Sequence, residues 1–276
     1  MNAPDPPAAA HQDQEPKTLP KTLSMHIEQR LAWAELNAKD RQSYKERNRF
    51  FHKEVNRLIS SQVAANSYVV DVGCADGATL KECNPIRAVG IDLDSRALKK
   101  AQECVPALYA DARPLEMIGS LPVPNPDFII LSLLLDEVYD AQLALRQVRP
   151  WCTDSTRLLI VTYSRLWRPV IRLAELLGLK NRSQGENYLP WDQIENMLEL
   201  EGFEVTKRCD GILLPLRVPL LSRFLNRWVS PLPFFRSLSL IRLTTARKQR
   251  MKSQPTESVS IIVAARNEAG HIYELI

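Results

Sequence analysis

Residues 68–80, YVVDVGCADGATL, decide how the rest of the chain is read. Apolar β-formers run into Asp71, a turn carrying Gly73 and Gly77 follows, and the residues after it suit a helix. A strand, a glycine turn and a helix start are the parts with which an open α/β sheet holds a nucleotide-like ligand. The question is whether that ligand carries phosphates.

Working outward, strand candidates recur at 68–73, 87–92, 107–111, 127–135 and 157–164. They are apolar nearly throughout, as strands covered on both faces are. Helical patterns lie between them at 95–105, 136–148, 166–178 and 190–202, with Asp94 or Ser95 as N-cap of the first. The last two stop at Gly178 and Gly202, a normal helix end. Residues 203–214 and 239–248 read as two more strands. Before the first strand, 23–63 is helical in pattern, with Phe51, Val55, Leu58 and Ile59 on one face. The expected fold is α/β, a Rossmann-like doubly wound sheet with N-terminal helices.

A dinucleotide turn is G-x-G-x-x-G and sets a pyrophosphate on the helix N-terminus. Here the pattern is Gly73, Ala75, Gly77, with Asp71 ending the strand and Asp76 inside the turn. Like charges ~4 Å apart repel by about 4 kcal/mol at an effective dielectric of ~20, so two carboxylates disfavour phosphates. A cofactor with an ammonium and a sulfonium, S-adenosyl-L-methionine, suits them. The second strand ends at Asp92, 21 positions after Asp71, where a carboxylate can accept both ribose hydroxyls. The third ends at Asp111, placed for the adenine amino group, and the fourth runs into LSLLLDE, which can line the chamber.

The ordered segments DVGCADG, GIDLD, ALYADA and PDFIILSLLLDEVYDAQLALRQVRP resemble the motifs of class I S-adenosylmethionine-dependent methyltransferases of the small-molecule type 11 kind, over about 48–248. The resemblance implies a seven-stranded sheet whose last strand, 239–248, is antiparallel. It places Asp71, Gly73, Ala75 and Gly77 at the methionine end, Asp92 at the ribose, and Asp111 with Ala112 at the adenine. Cys74, Leu93 and Ser132 complete the cofactor-binding set. Ala75 departs from the usual second glycine, and its methyl group narrows the loop. No general base is legible. The candidates are Asp136, Glu137, Tyr163, Glu186 and Tyr188, with Tyr44 and His52 reaching in from the N-terminal helices.

Blander roles compete at several positions. Asp71 could cap a helix, and Asp92 with Asp94 forms a D-x-D like a glycosyltransferase metal site, although no metal is expected here. Cys74 is read as a small filler, since two neighbouring acids would raise its pKa. His52 is expected to be a satisfied helix-end histidine.

Composition adds outer limits. The 276 residues are 45% hydrophobic and 25% charged with net charge +4, too little to argue for nucleic acid. The odd count of five cysteines, without C-x-x-C spacing, points to a reduced, cytoplasmic chain. Between 205 and 252, Asp210 is the only acid among eleven Lys and Arg. Residues 212–238 mix Leu, Phe, Trp and Pro with Arg, so peripheral contact with the inner membrane face is expected there, as is an apolar cap over the acceptor.

Four units are expected: a polar, proline-rich tail over 1–23, a methyltransferase domain over 24–250, a linker over 251–257, and a further strand and helix start over 258–276. The last, SVSIIVAARNEAGHI, resembles the opening of family 2 glycosyltransferases, with Arg266, Asn267 and Glu268 where that family begins its nucleotide-sugar site. The expectation is the front half of a methyltransferase–glycosyltransferase fusion acting on a small-molecule, glycan or lipid-linked acceptor. The competing expectations are a non-catalytic accessory or membrane-docking module and a nicotinamide dehydrogenase.

Overall fold

The computed structural model describes residues 25, 27–29, 31–32, 38–106, 108–138, 140–176, 189–230 and 232–249. The expectations for 1–23, for 251–276 and for Glu186 and Tyr188 lie outside these residues.

Helical residues at 25, 27–29 and 31–32 and the helices α1 (Ala38–Arg47) and α2 (Arg49–Ser60) precede the sheet. Seven strands follow: β1 (Tyr68–Val72), β2 (Arg87–Ile91), β3 (Leu108–Asp111), β4 (Phe128–Ser132), β5 (Arg157–Tyr163), β6 (Phe203–Gly211) and β7 (Ile241–Lys248). Helices α3 (Ala78–Cys83), α4 (Ser95–Cys104), α5 (Ala141–Val148), α6 (Arg168–Leu176) and α7 (Trp191–Leu200) connect them. The sheet order is β3-β2-β1-β4-β5-β7-β6. β1 to β5 are parallel, and β7 runs antiparallel to both β5 and β6. This is the expected doubly wound fold, with its topological switch between β1 and β4.

Strand parity sorts the core. Val70, Val72, Ile129, Leu131, Leu158 and Ile160 face α5 and α7, meeting Leu145, Val148, Ile194 and Leu198. Val69, Ile130, Leu159 and Val161 face the other way, onto Phe51, Val55 and Ile59 of α2, Leu80 of α3 and Leu98 of α4. Each such buried side chain contributes about 1.5–3 kcal/mol. Asp71 shares the parity of Val69 and points into this second layer.

Several boundaries differ from the sequence reading. Within the 23–63 pattern, residues 38–60 form α1 and α2, split at Asn48. β4 stops at Ser132 rather than 135, because Leu133 turns into the left-handed region (φ 57°) and donates its N–H to Val161. α5 starts at Ala141, where the Asp140 side chain accepts from the Leu143 N–H. Residues 136–138 and Asp140 therefore lie outside the helix. Asp94, rather than Ser95, is the N-cap of α4, accepting from the Arg96 and Ala97 N–H groups.

Candidate functional site

The carboxyl ends of β1, β2, β3 and β4 meet at one edge, and the glycine turn lies against that edge. Gly73 (φ 82°), Ala75 (φ 47°) and Gly77 (φ 73°) all take left-handed backbone. A Cβ on Gly77 would sit 2.9 Å from Ala101 Cβ, so only glycine lets α3 approach α4 this closely. The Gly73 and Cys74 N–H groups donate to the Ile91 carbonyl at 2.7 and 3.1 Å, which sews the turn onto β2. Gly90 clears space beneath it, since a Cβ there would meet Cys74 Sγ at 2.8 Å.

The four acids of the site have different surroundings. Asp71 is 1% exposed, and neither carboxylate oxygen has a hydrogen-bond partner. Burial first, and then the charge of Asp92, push its carboxyl up to about 7, against the pull of Lys45. Asp92, 8% exposed, accepts from the Ala75 N–H and the Asp94 N–H, each at 2.9 Å. A carboxylate has about four acceptor sites, so two remain for a ligand. Asp76 forms an ion pair with Lys45 of α1. That pairing corrects the reading of two bare acids, Asp71 at the strand end and Asp76 inside the turn, because Asp76 has a cation of its own.

Asp111 is held by its neighbour. The Arg113 backbone N–H donates to Oδ1 at 3.0 Å, and the guanidinium donates to both oxygens, the Nη2 bond to Oδ2 at 2.8 Å. An adenine amino group reaches this carboxylate only by displacing that guanidinium. Ala112 follows Asp111, and Leu93 lies between Asp92 and Asp94, both on the β2–β3 side of the edge. Ser132 ends β4, and Leu134 beyond it comes within 3.4 Å of where a Gly73 Cβ would be.

The D-x-D pair serves as two caps, with Asp92 on the turn and Asp94 on α4. Among the described residues, no group of three His, Cys, Asp or Glu could hold a metal ion. Cys74 is buried, and burial followed by the charges of Asp71 and Asp92 raises its thiol pKa, in keeping with its reading as a filler. All five cysteines are free thiols.

The N-terminal helices cover one side of the site. Lys45 reaches the turn through Asp76, and Thr79 of α3 donates to Asn56 of α2 at 3.1 Å. Phe51 stacks on Tyr163 at the end of β5, and Tyr44 meets His52 edge-on at 5.9 Å. His52 differs from expectation, for its Nε2 is buried without a hydrogen-bond partner. Burial, then Lys45, lowers its pKa to about 4, while Asp76 opposes. Asp136 lies in the loop after β4, and its Oδ2 accepts from the Tyr163 N–H at 3.2 Å. Asp136 and Tyr163 are thus brought together, with Glu137 next to Asp136 in the chain.

Sequence reasoning missed Lys45, Gly90 and Arg113. The spacing of Arg113, two residues past Asp111, was an available signal. Lys45 had none, because its partner lies 31 residues away.

Comparison with known proteins gives the same picture. Residues 43–208 match the model of a family described as a methyltransferase domain. A search of curated proteins returned no match. Among solved structures, an S-adenosylmethionine-dependent methyltransferase from Thermotoga maritima is 12% identical, covers 78% of this chain and 98% of its own, and superposes with a TM-score of 0.58. One from Mesorhizobium loti is 16% identical, with 70% and 96% covered and a TM-score of 0.53. The magnesium protoporphyrin IX methyltransferase from Synechocystis, solved with bound S-adenosylhomocysteine, is 14% identical, with 72% and 86% covered and a TM-score of 0.50. At these identities the likeness is one of fold.

Proposed function

The chain belongs to the methyltransferase domain family, and from that premise we propose that it transfers a methyl group from S-adenosyl-L-methionine to a small molecule, a glycan or a lipid-linked acceptor. The nicotinamide dehydrogenase reading is set aside by the same match.

One observation carries the cofactor assignment. The Asp71 carboxylate is buried beneath the glycine turn with no partner of its own. A buried acid in that state favours a cation beside it and disfavours a phosphate. In this reading Asp71 attracts the methionine ammonium, and Gly73, Cys74, Ala75 and Gly77 form the backbone cradle around it. Asp92, with Leu93, offers its two remaining acceptor sites to the ribose hydroxyls. Asp111 and Ala112 flank the adenine once Arg113 swings aside, and Ser132 with Leu134 lines the floor.

Bound S-adenosylmethionine supplies an activated methyl group for an in-line displacement. The protein orients the acceptor about 3 Å from it and excludes water. Asp136 and Tyr163, joined by a hydrogen bond, are the residues best placed to take a proton from a hydroxyl acceptor, with Phe51 stacked on Tyr163 and His52 against Phe51. The resemblance of 258–276 to the start of a family 2 glycosyltransferase favours a glycan or lipid-linked acceptor.

Thermal unfolding with S-adenosylmethionine and, separately, with a nicotinamide dinucleotide tests this reading. A ligand at 100 times its dissociation constant adds about 2.7 kcal/mol. We expect that gain with the sulfonium compound only. Stabilisation by the dinucleotide alone would reverse the assignment. Incubation with methyl-labelled cofactor and host lipid and glycan extracts then identifies the acceptor.

A further inference from the structure

We infer that the crossover between β6 and β7 is a docking face that seats on an anionic phospholipid bilayer and lets the acceptor enter the site from the membrane. The acceptor half of this inference rests on the methyltransferase reading above. The docking half does not.

The crossover is inside out. Ser222, Asn226 and Ser230, four residues apart on one side of the helical turns at 221–229, are buried. Leu220, Phe224 and Trp228, on the same spacing, are 87%, 56% and 69% exposed. The buried polar groups are satisfied. Asn226 Oδ1 accepts from the Leu213 and Leu214 N–H groups at 2.9 Å, and Ser222 Oγ accepts from the Val218 N–H at 2.8 Å. The outward apolar set is therefore held by a built scaffold rather than left over from loose packing. Phe234, 71% exposed, extends the same surface. Contiguous exposed apolar side chains of this kind mark an interaction site.

Charge selects the partner. Residues 212–240 contain no Asp or Glu. Among the described residues, the other arginines of the basic C-terminal part are spoken for: Arg208 pairs with Glu195, Arg236 and Arg242 with Asp210, and Arg247 with Glu204. Arg217, Arg223 and Arg227 make no such pair among the described residues and are exposed beside the aromatic side chains. Trp, Phe and Leu flanked by arginine is the composition of a segment lying in the headgroup layer of an anionic membrane.

Position links the face to the reaction. Gly211 and Tyr163 both stand opposite Ile241 of β7, so the crossover leaves and rejoins the sheet at the carboxyl end of β5. The Ser164 N–H donates to the Leu240 carbonyl at 2.8 Å, and Trp167 Nε1 donates to the Leu238 carbonyl at 2.7 Å. The apolar face and the candidate site thus share one edge, and an acceptor anchored in lipid approaches the chamber along that edge.

The test sediments the full chain with phosphatidylcholine vesicles and with vesicles containing phosphatidylglycerol, and follows S-adenosylmethionine binding by calorimetry in parallel. We expect salt-sensitive binding to the phosphatidylglycerol vesicles. Arg223→Gln and Arg227→Gln should each lower partitioning about fivefold, and Phe224→Ser with Trp228→Ser should lower it further, with cofactor affinity unchanged throughout. Cofactor binding without vesicle binding overturns the docking face and leaves the methyltransferase reading intact. Vesicle binding without cofactor binding does the reverse. A dimer that dissociates in the Trp228→Ser variant, with no vesicle binding, also overturns docking, because a second copy then covers the face. Methyl label appearing only in water-soluble extract, and never in the lipid fraction, overturns the acceptor half.

Discussion

The Ala75 backbone N–H donates to Asp92 Oδ2 at 2.9 Å, so the acid that ends β2 also fastens the turn that follows β1. The other oxygen of Asp92 accepts from the Asp94 N–H and sets the entry to α4. One carboxylate shapes two loops before any ligand arrives.

Replacing Asp92 should therefore affect folding and binding together. Hydrogen bonds to a charged group contribute about 1.5–3 kcal/mol each. We expect Asp92→Ala to lower unfolding free energy by about 2–3 kcal/mol and affinity for S-adenosylmethionine by roughly a hundredfold or more. Asp92→Asn keeps one acceptor and should recover part of the stability. Chemical denaturation and calorimetry read the two effects, and unchanged affinity in Asp92→Ala would refute the site.

Ala75 sits at φ 47°, where an L-residue costs about 1–2 kcal/mol. Glycine relieves that strain but gains roughly 0.5–1 kcal/mol of unfolded-state freedom. Ala75→Gly should then leave stability unchanged or raise it by up to about 1 kcal/mol, whereas glycine inside a regular element is destabilising. A clear loss on denaturation would mean that the Ala75 methyl group makes a contact worth more than the strain.

Asp71 gives the apoprotein a pH dependence of definite sign. Its carboxyl titrates near 3.8 when unfolded and near 7 when folded, so between those values the native state holds the extra proton. The stabilisation this gives is complete below about 4 and is lost as pH rises through 7. Asp71→Asn should remove that slope and raise stability above pH 7 by on the order of 2 kcal/mol. We also expect S-adenosylmethionine to bind the parent protein more tightly as pH rises through 7 and Asp71 ionises, and Asp71→Asn to abolish that tightening. Equal pH profiles for the two proteins would place Asp71 outside the site.

His52 acts in the opposite direction. Unfolded, it takes a proton below about 6.5, whereas in the fold it resists protonation until about 4. Stability from this group is full above 6.5 and is lost as pH falls to 4. Its window overlaps that of Asp71, so the two slopes partly cancel in the parent chain. His52→Phe should expose the Asp71 slope alone, seen as a steeper fall in melting temperature from pH 4 to 7. An unchanged slope would mean that His52 is solvated.

Much of this site was legible in local chemistry. A run of β-formers ending in Asp71, Asp92 and Asp111 placed three acids at successive strand ends, and the observed register of β1, β2 and β3 puts them along one edge. A helix cap at Asp94 or Ser95 and Cys74 as filler were legible from nearest neighbours, and the fold chose Asp94. The extent of β4 was not legible: LSLLL is apolar throughout, and nothing in its pattern marks the left-handed turn at Leu133.

The sequence by itself determined the succession of strands and helices, the glycine turn and the identity of the acids, because backbone conformation and side-chain parity are set over a few residues. Only the tertiary structure decided the order of the strands in the sheet and which acids find a partner. Lys45 neutralises Asp76 from 31 residues away, Arg113 folds back onto Asp111, and Asp71 is left partnerless because β1 turns it under α2 and α3. Electrostatic character depends on burial and on distances through space, and neither is written in the order of residues along the chain.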